Sequence, residues 1–209
     1  YLCVYSELGH DKFHMGFERT YRVLSVTKQG NELVKSPGAY RPIAATLKSD
    51  YPQIEYATYL SYSSEDSPLQ IAEGSEKIEA RELWVSNDFF SIFNGFVFTE
   101  GEAFDAIETP SGIILSEMVA RKLFGNETAL GKQVIIDKYT KSIYEVAGVV
   151  RIPANSHINF GYIIPEDNPK VARFSNHWGD KGHVHVYIKL SQNARSEERR
   201  VGKECRSRW

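Results

Sequence analysis

Short runs in which apolar and β-branched residues alternate with polar ones predict strands over residues 21–27, 54–61, 79–85, 112–115, 144–152 and 184–190. Helical spacing is rarer. Over residues 40–50 it places Ile43, Ala44, Leu47 and then Tyr51 three and four apart, and the following Pro52 ends the pattern because the residue before a proline disfavours helical backbone. Ser86 or Asn87 caps a second, short helix carrying Phe89, Phe90, Ile92 and Phe93. Ser116 caps a third with Met118, Val119, Leu123 and Phe124 on its apolar face, stopped by Gly125. The last two helices each follow directly on a strand, so residues 84–90 and 114–124 read as two βα units facing a common sheet, in an α+β fold. Phe89, Phe90, Phe93, Phe96 and Phe98 are expected in the core rather than as a platform for a ligand.

Composition narrows the class without changing the pattern. The chain has 209 residues, 42% hydrophobic and 25% charged, with a formal charge of −2, which suits one or two globular units. It contains no 20-residue apolar run and no basic-then-apolar leader. Cys3 and Cys205 stand near opposite ends, so no disulfide is expected. The start, Tyr1-Leu2-Cys3-Val4-Tyr5, suits the last turn of a helix leaving a bilayer, where Tyr is favoured at the interface. Residues 195–209 resemble the translation of a sequencing-library adapter and are expected to be foreign. That tail holds six Lys or Arg against three Glu, so the remainder is more acidic than the whole chain. An acidic surface without a basic cluster excludes a nucleic-acid partner, which must have its phosphates neutralised.

Several motifs resemble chemistry and fail on detail. Between Gly125 and Gly131-Lys132 lie five residues rather than four, and Gln133 stands where a phosphate-binding loop needs a hydroxyl, so a helix end and turn is expected there. His183 and His185 are two apart on a predicted strand and share a face, with His177 or Asp180 available to complete a metal site, but no motif fixes a third ligand. No nucleophile elbow occurs, and Cys3 has no identified base. The pairs Glu65-Asp66 and Glu100/Glu102 read as solvated loops, and Asn126-Glu127-Thr128 is a formal glycosylation sequon to which no role is given. No catalytic, cofactor-binding or metal-binding residue is assigned.

Blocks of residues along the chain do carry a resemblance. Glu7-Leu8, Asp11 and Phe13-His14 are followed by Arg19-Thr20-Tyr21-Arg22-Val23. Pro42-Ile43-Ala44-Ala45-Thr46-Leu47 leads to Asp50-Tyr51-Pro52-Gln53-Ile54, and Val85-Ser86-Asn87-Asp88-Phe89-Phe90-Ser91-Ile92-Phe93 comes next, with Ser86 where Asp is frequent. Ile114-Leu115-Ser116-Glu117 through Leu123-Phe124-Gly125, Gly131-Lys132, Tyr144-Glu145-Val146-Ala147-Gly148-Val149 and Pro153-Ala154-Asn155-Ser156-His157 complete the series. In this order, over about residues 5–190, the blocks resemble the periplasmic core domain of ABC-transporter permeases of the MacB/FtsX type.

The resemblance implies a mixed α/β, two-lobed extracytoplasmic domain with βαβ-type units. Residues 1–14 would be the end of, and exit from, an N-terminal transmembrane helix, and residues 15–194 the core domain, incomplete at its C-terminal side. The domain would lie on the periplasmic side of the bacterial inner membrane, held there by helices outside this sequence. It would bind no cofactor, because ATP is hydrolysed by a separate cytoplasmic ABC ATPase subunit. Its other partners would be a second permease, as homodimer or heterodimer, and a periplasmic protein or substrate. Motion would enter through the segment after the first helix, with Asp11, Phe13, Arg19 and Tyr21 as coupling contacts; the same residues also suit the plain beginning of a fold. The alternative is a secreted or periplasmic stand-alone protein that binds metal or another ligand.

Overall fold

A computed structural model of the chain describes residues 2–6, 12–138, 141–166 and 184–194. Thirteen strands occur among these: β1 Leu2–Ser6, β2 Thr20–Gln29, β3 Glu32–Ser36, β4 Ile54–Tyr62, β5 Ser67–Gln70, β6 Ile78–Ala80, β7 Glu82–Val85, β8 Val97–Glu100, β9 Gly112–Ser116, β10 Gln133–Asp137, β11 Lys141–Arg151, β12 Tyr162–Pro165 and β13 His185–Leu190. The helices are α1 Pro42–Asp50, α2 Phe89–Ile92, α3 Ala103–Glu108 and α4 Glu117–Phe124. All the strands join one sheet in the order β1-β2-β13-β4-β7-β12-β9-β11-β10-β5-β6, with β3 on β2 and β8 on β11. The β9–β11 and β7–β12 pairs are parallel and every other pair is antiparallel.

The central strands read as continuous apolar runs because both faces are covered. In β9, Ile113 and Leu115 point to one face and Ile114 to the other, and all three are fully buried. Facing pairs in the register put α1 and α4 on one side of the sheet and α2 and α3 on the opposite side. The two βα units therefore share a sheet, as expected, but send their helices to opposite faces.

Two predicted features are redistributed. The run at residues 79–85 breaks at Arg81 into β6 and β7, which lie at different places in the sheet although one residue separates them. The sheet thus curls back on itself. Gly161 N–H donates to Arg81 O at 2.8 Å at the seam, and a Cβ on Gly161 would stand 2.5 Å from the Ala80 Cβ, so only glycine allows this approach. Inside the curl, α4 buries Val119 and Ala120 against Leu69, Ile113, Leu115, Val134 and Ile136. This curled part and a wing of β1, β2, β3, β13 and β4 under α1 are joined by continuous hydrogen bonding in one sheet. The second difference is at the start, where Leu2–Ser6 is a strand on the edge of β2 and not the last turn of a helix. Its β-branched and aromatic residues are as well suited to a pleated edge as to an interfacial helix end.

Local signals for α4 hold closely. Ser116 Oγ accepts the Val119 N–H, and Gly125 ends the helix with its N–H on Arg121 O. The resemblance to a phosphate loop at residues 125–132 is thereby accounted for as a helix end and turn. Ser86 does not cap α2. Its Oγ pairs with Thr58 Oγ1 at 2.9 Å and accepts the Tyr59 N–H, stitching the start of α2 to β4, while Asp88 is the N-cap residue and accepts from Ala57 N–H and Lys48. Glu100 is likewise no free loop carboxylate, since one of its oxygens accepts Thr128 Oγ1–H and the Ala129 and Leu130 N–H groups at 2.6–2.9 Å. These bonds hold its carboxyl below the usual range, although partial burial opposes them.

Because Ile114 is packed on both sides by neighbouring strands and has no room to collapse, Ile114→Ala is expected to cost about 2–5 kcal/mol in urea denaturation. Phe104→Ser, at a side chain 69% exposed, should stay within about 0.5 kcal/mol.

Candidate functional site

At one end of the sheet the start of β2, the end of β13, the start of β4 and the turn after α2 converge, and residues 12–19 are folded against them. Lys189 is the register partner of Thr20, so the segments that lead into β2 and out of β13 lie side by side. Residues 17–19 form a single 3₁₀ turn, and its neighbours line an open groove of about 620 Å³ that includes Met15, Arg19, Glu55, Ser91, Asn94 and Lys189.

His14 is the anchor of this segment. It is 4% exposed and sits among Phe13, Phe93 and Phe96, with ring centroids at 4.2, 5.3 and 5.3 Å. The Gly95 N–H donates to His14 Nδ1 at 2.8 Å, which puts the proton of the neutral ring on Nε2; that atom is buried and has no hydrogen-bond partner among the described residues. Burial, aided by the nearby Lys189 charge, pushes its pKa down to about 4. Gly95 makes the approach feasible, since a Cβ there would lie 2.4 Å from a Phe13 ring carbon and 2.8 Å from His14 Nδ1.

The backbone beside His14 is held as firmly as its ring. Met15 N–H donates to Asn94 Oδ1 at 2.8 Å, and Asn94 returns an N–H to Met15 O at 3.4 Å. Lys189, 4% exposed, donates to Met15 O at 2.8 Å and to Ser91 O at 3.2 Å near the end of α2. Burial and then the Arg19 charge lower its pKa. It makes no ion pair with a described carboxylate and is held by carbonyl oxygens instead. Arg19 donates to Glu55 at 3.3 Å and to Leu190 O, and lies 3.7 Å from Glu18. One lysine and one arginine thus tie residues 15–19 to β13, β4 and α2 at once.

The residues expected to act as coupling contacts are split by this arrangement. Phe13 and Arg19 both belong to the anchored segment, Phe13 against Phe96 and Arg19 at the sheet end. Tyr21 packs against the cluster under α1, on the opposite face. Asp11 lies outside the described residues. The sequence reading missed His14 as a buried group and missed Lys189, Asn94 and Gly95 altogether. The signal for Lys189 was a lone charge inside the apolar run at residues 184–190, flanked by Ile188 and Leu190.

Elsewhere, His177, His183 and Asp180 lie outside the described residues, and the Nδ1 of His185 contacts Arg22 and Pro37 O. No group of three or more His, Cys, Asp or Glu among the described residues could hold a metal ion. No helix among them is long and apolar enough to cross a membrane.

The family described as MacB-like periplasmic core domain matches residues 9–199. Among solved structures, the chain is similar in fold to a domain of a Porphyromonas gingivalis protein named as a permease, with TM-score 0.68, 20% identity, and 86% of this chain and 78% of that one covered. It is also similar to the periplasmic region of MacB from Actinobacillus actinomycetemcomitans, with TM-score 0.58, 18% identity and the same coverage. A third likeness is to the extracellular domain of the noncanonic ABC-type transporter YknZ from Gram-positive bacteria, with TM-score 0.57, 16% identity, and 83% and 84% covered. No curated protein sequence matches the chain.

Gly95→Ala is expected to push residues 13–14 off the turn after α2. It should lower stability by about 1–3 kcal/mol through overpacking and speed hydrogen exchange at the Met15 amide, while α4 amides keep their protection.

Proposed function

The chain belongs to the family of MacB-like periplasmic core domains, and from this we propose that it is the extracytoplasmic domain of an ABC-transporter permease subunit, carrying motion from membrane helices to a substrate or partner outside the inner membrane. The observation that carries the reading is the seating of residues 13–15 in the aromatic cluster beneath α2. That cluster touches both parts of the sheet: Phe93 packs on Tyr187 of β13 at 5.1 Å, and Phe96 on Phe160 beside β12 at 5.9 Å. A displacement applied at Phe13 and His14 therefore meets close-packed rings that reach the wing and the curled part together, and packed interiors transmit strain.

In this account the spans, the second permease copy and the ATP-hydrolysing subunit all belong to the assembled transporter, and Arg19, joined to Glu55 and Leu190 O, ties the segment before β2 to β4 and β13.

The test uses the full-length permease assembled with its ATPase in nanodiscs, carrying a spin label on the Phe104→Cys variant, an exposed position. ATP followed by vanadate should change the label-to-label distance between two permease copies. Adding Phe13→Ala and Arg19→Ala together should keep ATP hydrolysis and lose most of that change. An unchanged distance in the labelled protein without those two substitutions, or failure of the Phe104→Cys variant to react with a membrane-impermeant thiol reagent in intact cells, would overturn the proposal.

A further inference from the structure

The contacts around His14 do more than anchor a segment, because they accept only one protonation state of its ring. Nδ1 already receives the Gly95 N–H, so a proton there would oppose a donor with a donor. Nε2 is enclosed and faces no acceptor among the described residues. The surroundings of the ring offer a cation little. Lys189 from β13 is the charge that acts on it directly and is repulsive, and Arg19 on the His14 segment acts on Lys189. Glu18 on that segment and Glu55 from β4 are engaged with Arg19. The turn after α2 contributes Asn94 and Gly95, which carry no charge. Beyond the Phe93 ring lies His157, whose Nε2 contacts Tyr187 OH. The ring faces of Phe93 and Phe96 attract cations in general, but they supply no acceptor for a second N–H.

We propose that residues 13–19 form a proton-sensitive latch, docked on the aromatic cluster while His14 is neutral and released as His14 takes up a proton. Release frees Met15 from Asn94 and Lys189 and exposes the Phe93–Phe96 end of the cluster; it leaves the β2–β13 pairing in place. The direction of the linkage is fixed. His14 is held at about 4 in the docked segment against an ordinary value of 6.5. Docking is therefore independent of pH above about 6.5 and weakens as pH falls below it, by about tenfold in the open-to-docked ratio per pH unit, until pH approaches 4. The latch is a property of this chain alone, whether or not the domain belongs to a transporter.

The experiment is residue-resolved amide hydrogen exchange on the 209-residue chain between about pH 7.5 and 4.5, corrected for intrinsic exchange rates, alongside the NMR titration of the His14 ring. Opening at the Met15 and Gly95 amides should stay nearly level above about pH 6.5 and rise by about fortyfold between about pH 6.5 and 4.5, with β9 and α4 amides unchanged. His14→Asn, which keeps an acceptor near the Nδ1 position and cannot titrate, should give the same opening at every pH. Should that variant be undocked from the outset, the unsubstituted protein decides through the His14 titration. A midpoint well below about 6 supports the latch, and an ordinary midpoint overturns it. Opening that ignores pH, that persists in His14→Asn with the same slope, or that occurs only when all amides open together would also overturn it.

Discussion

Close packing of phenylalanine rings on the α2–α3 face is the constraint from which the rest of the molecule takes its geometry. Phe89, Phe90, Phe93 and Phe96 are all buried, stacked or edge-on at 5.0–6.4 Å, and they meet apolar residues from β4, β7, β9, β11, β12 and β13. Rings at such spacings gain from edge-to-face contact beyond their buried area. The wing and the curl are thereby packed against a common set of rings. The same rings form the seat for Phe13 and His14, so the integrity of the sheet and the attachment of the N-terminal segment depend on a common set of contacts.

Much of this was legible from residue order. The two strand-to-helix transitions at residues 84–90 and 114–124, the cap at Ser116 and the burial of the phenylalanines follow from periodicity and capping, both of which are local. The split of residues 79–85 was not legible, because alternation continues through Arg81 and only the long-range approach of Gly161 forces the break. Glu100 was misread for a similar reason, since the turn at residues 128–130 that it caps lies about thirty positions away. Short strands such as β5, β8 and β12 have too few residues to show a period.

The site was less legible than the fold. A lone histidine in a short segment without a periodic apolar pattern gives no hint that it will be buried, and Gly95 looks like an ordinary turn glycine until the rings beside it are known. Lys189 shows the general difficulty. An isolated charge in an apolar run reads as an exposed position on a strand, yet here its ammonium is enclosed and satisfied by two carbonyl oxygens, Met15 O in the segment before β2 and Ser91 O near the end of α2. Such an arrangement depends on three elements meeting, and no single stretch of sequence encodes it.

The place of β13 carries a consequence for how the chain becomes a domain. It lies between β2 and β4, so the wing's two earliest long strands are joined only by the last strand described, more than 120 residues after β4. During synthesis, β2 with β3 and β4 with α1 have unpaired backbone edges that nothing nearby in sequence can close. The wing is thus assembled last although most of it is made first, and until β13 arrives its exposed edges are open to pairing with other chains.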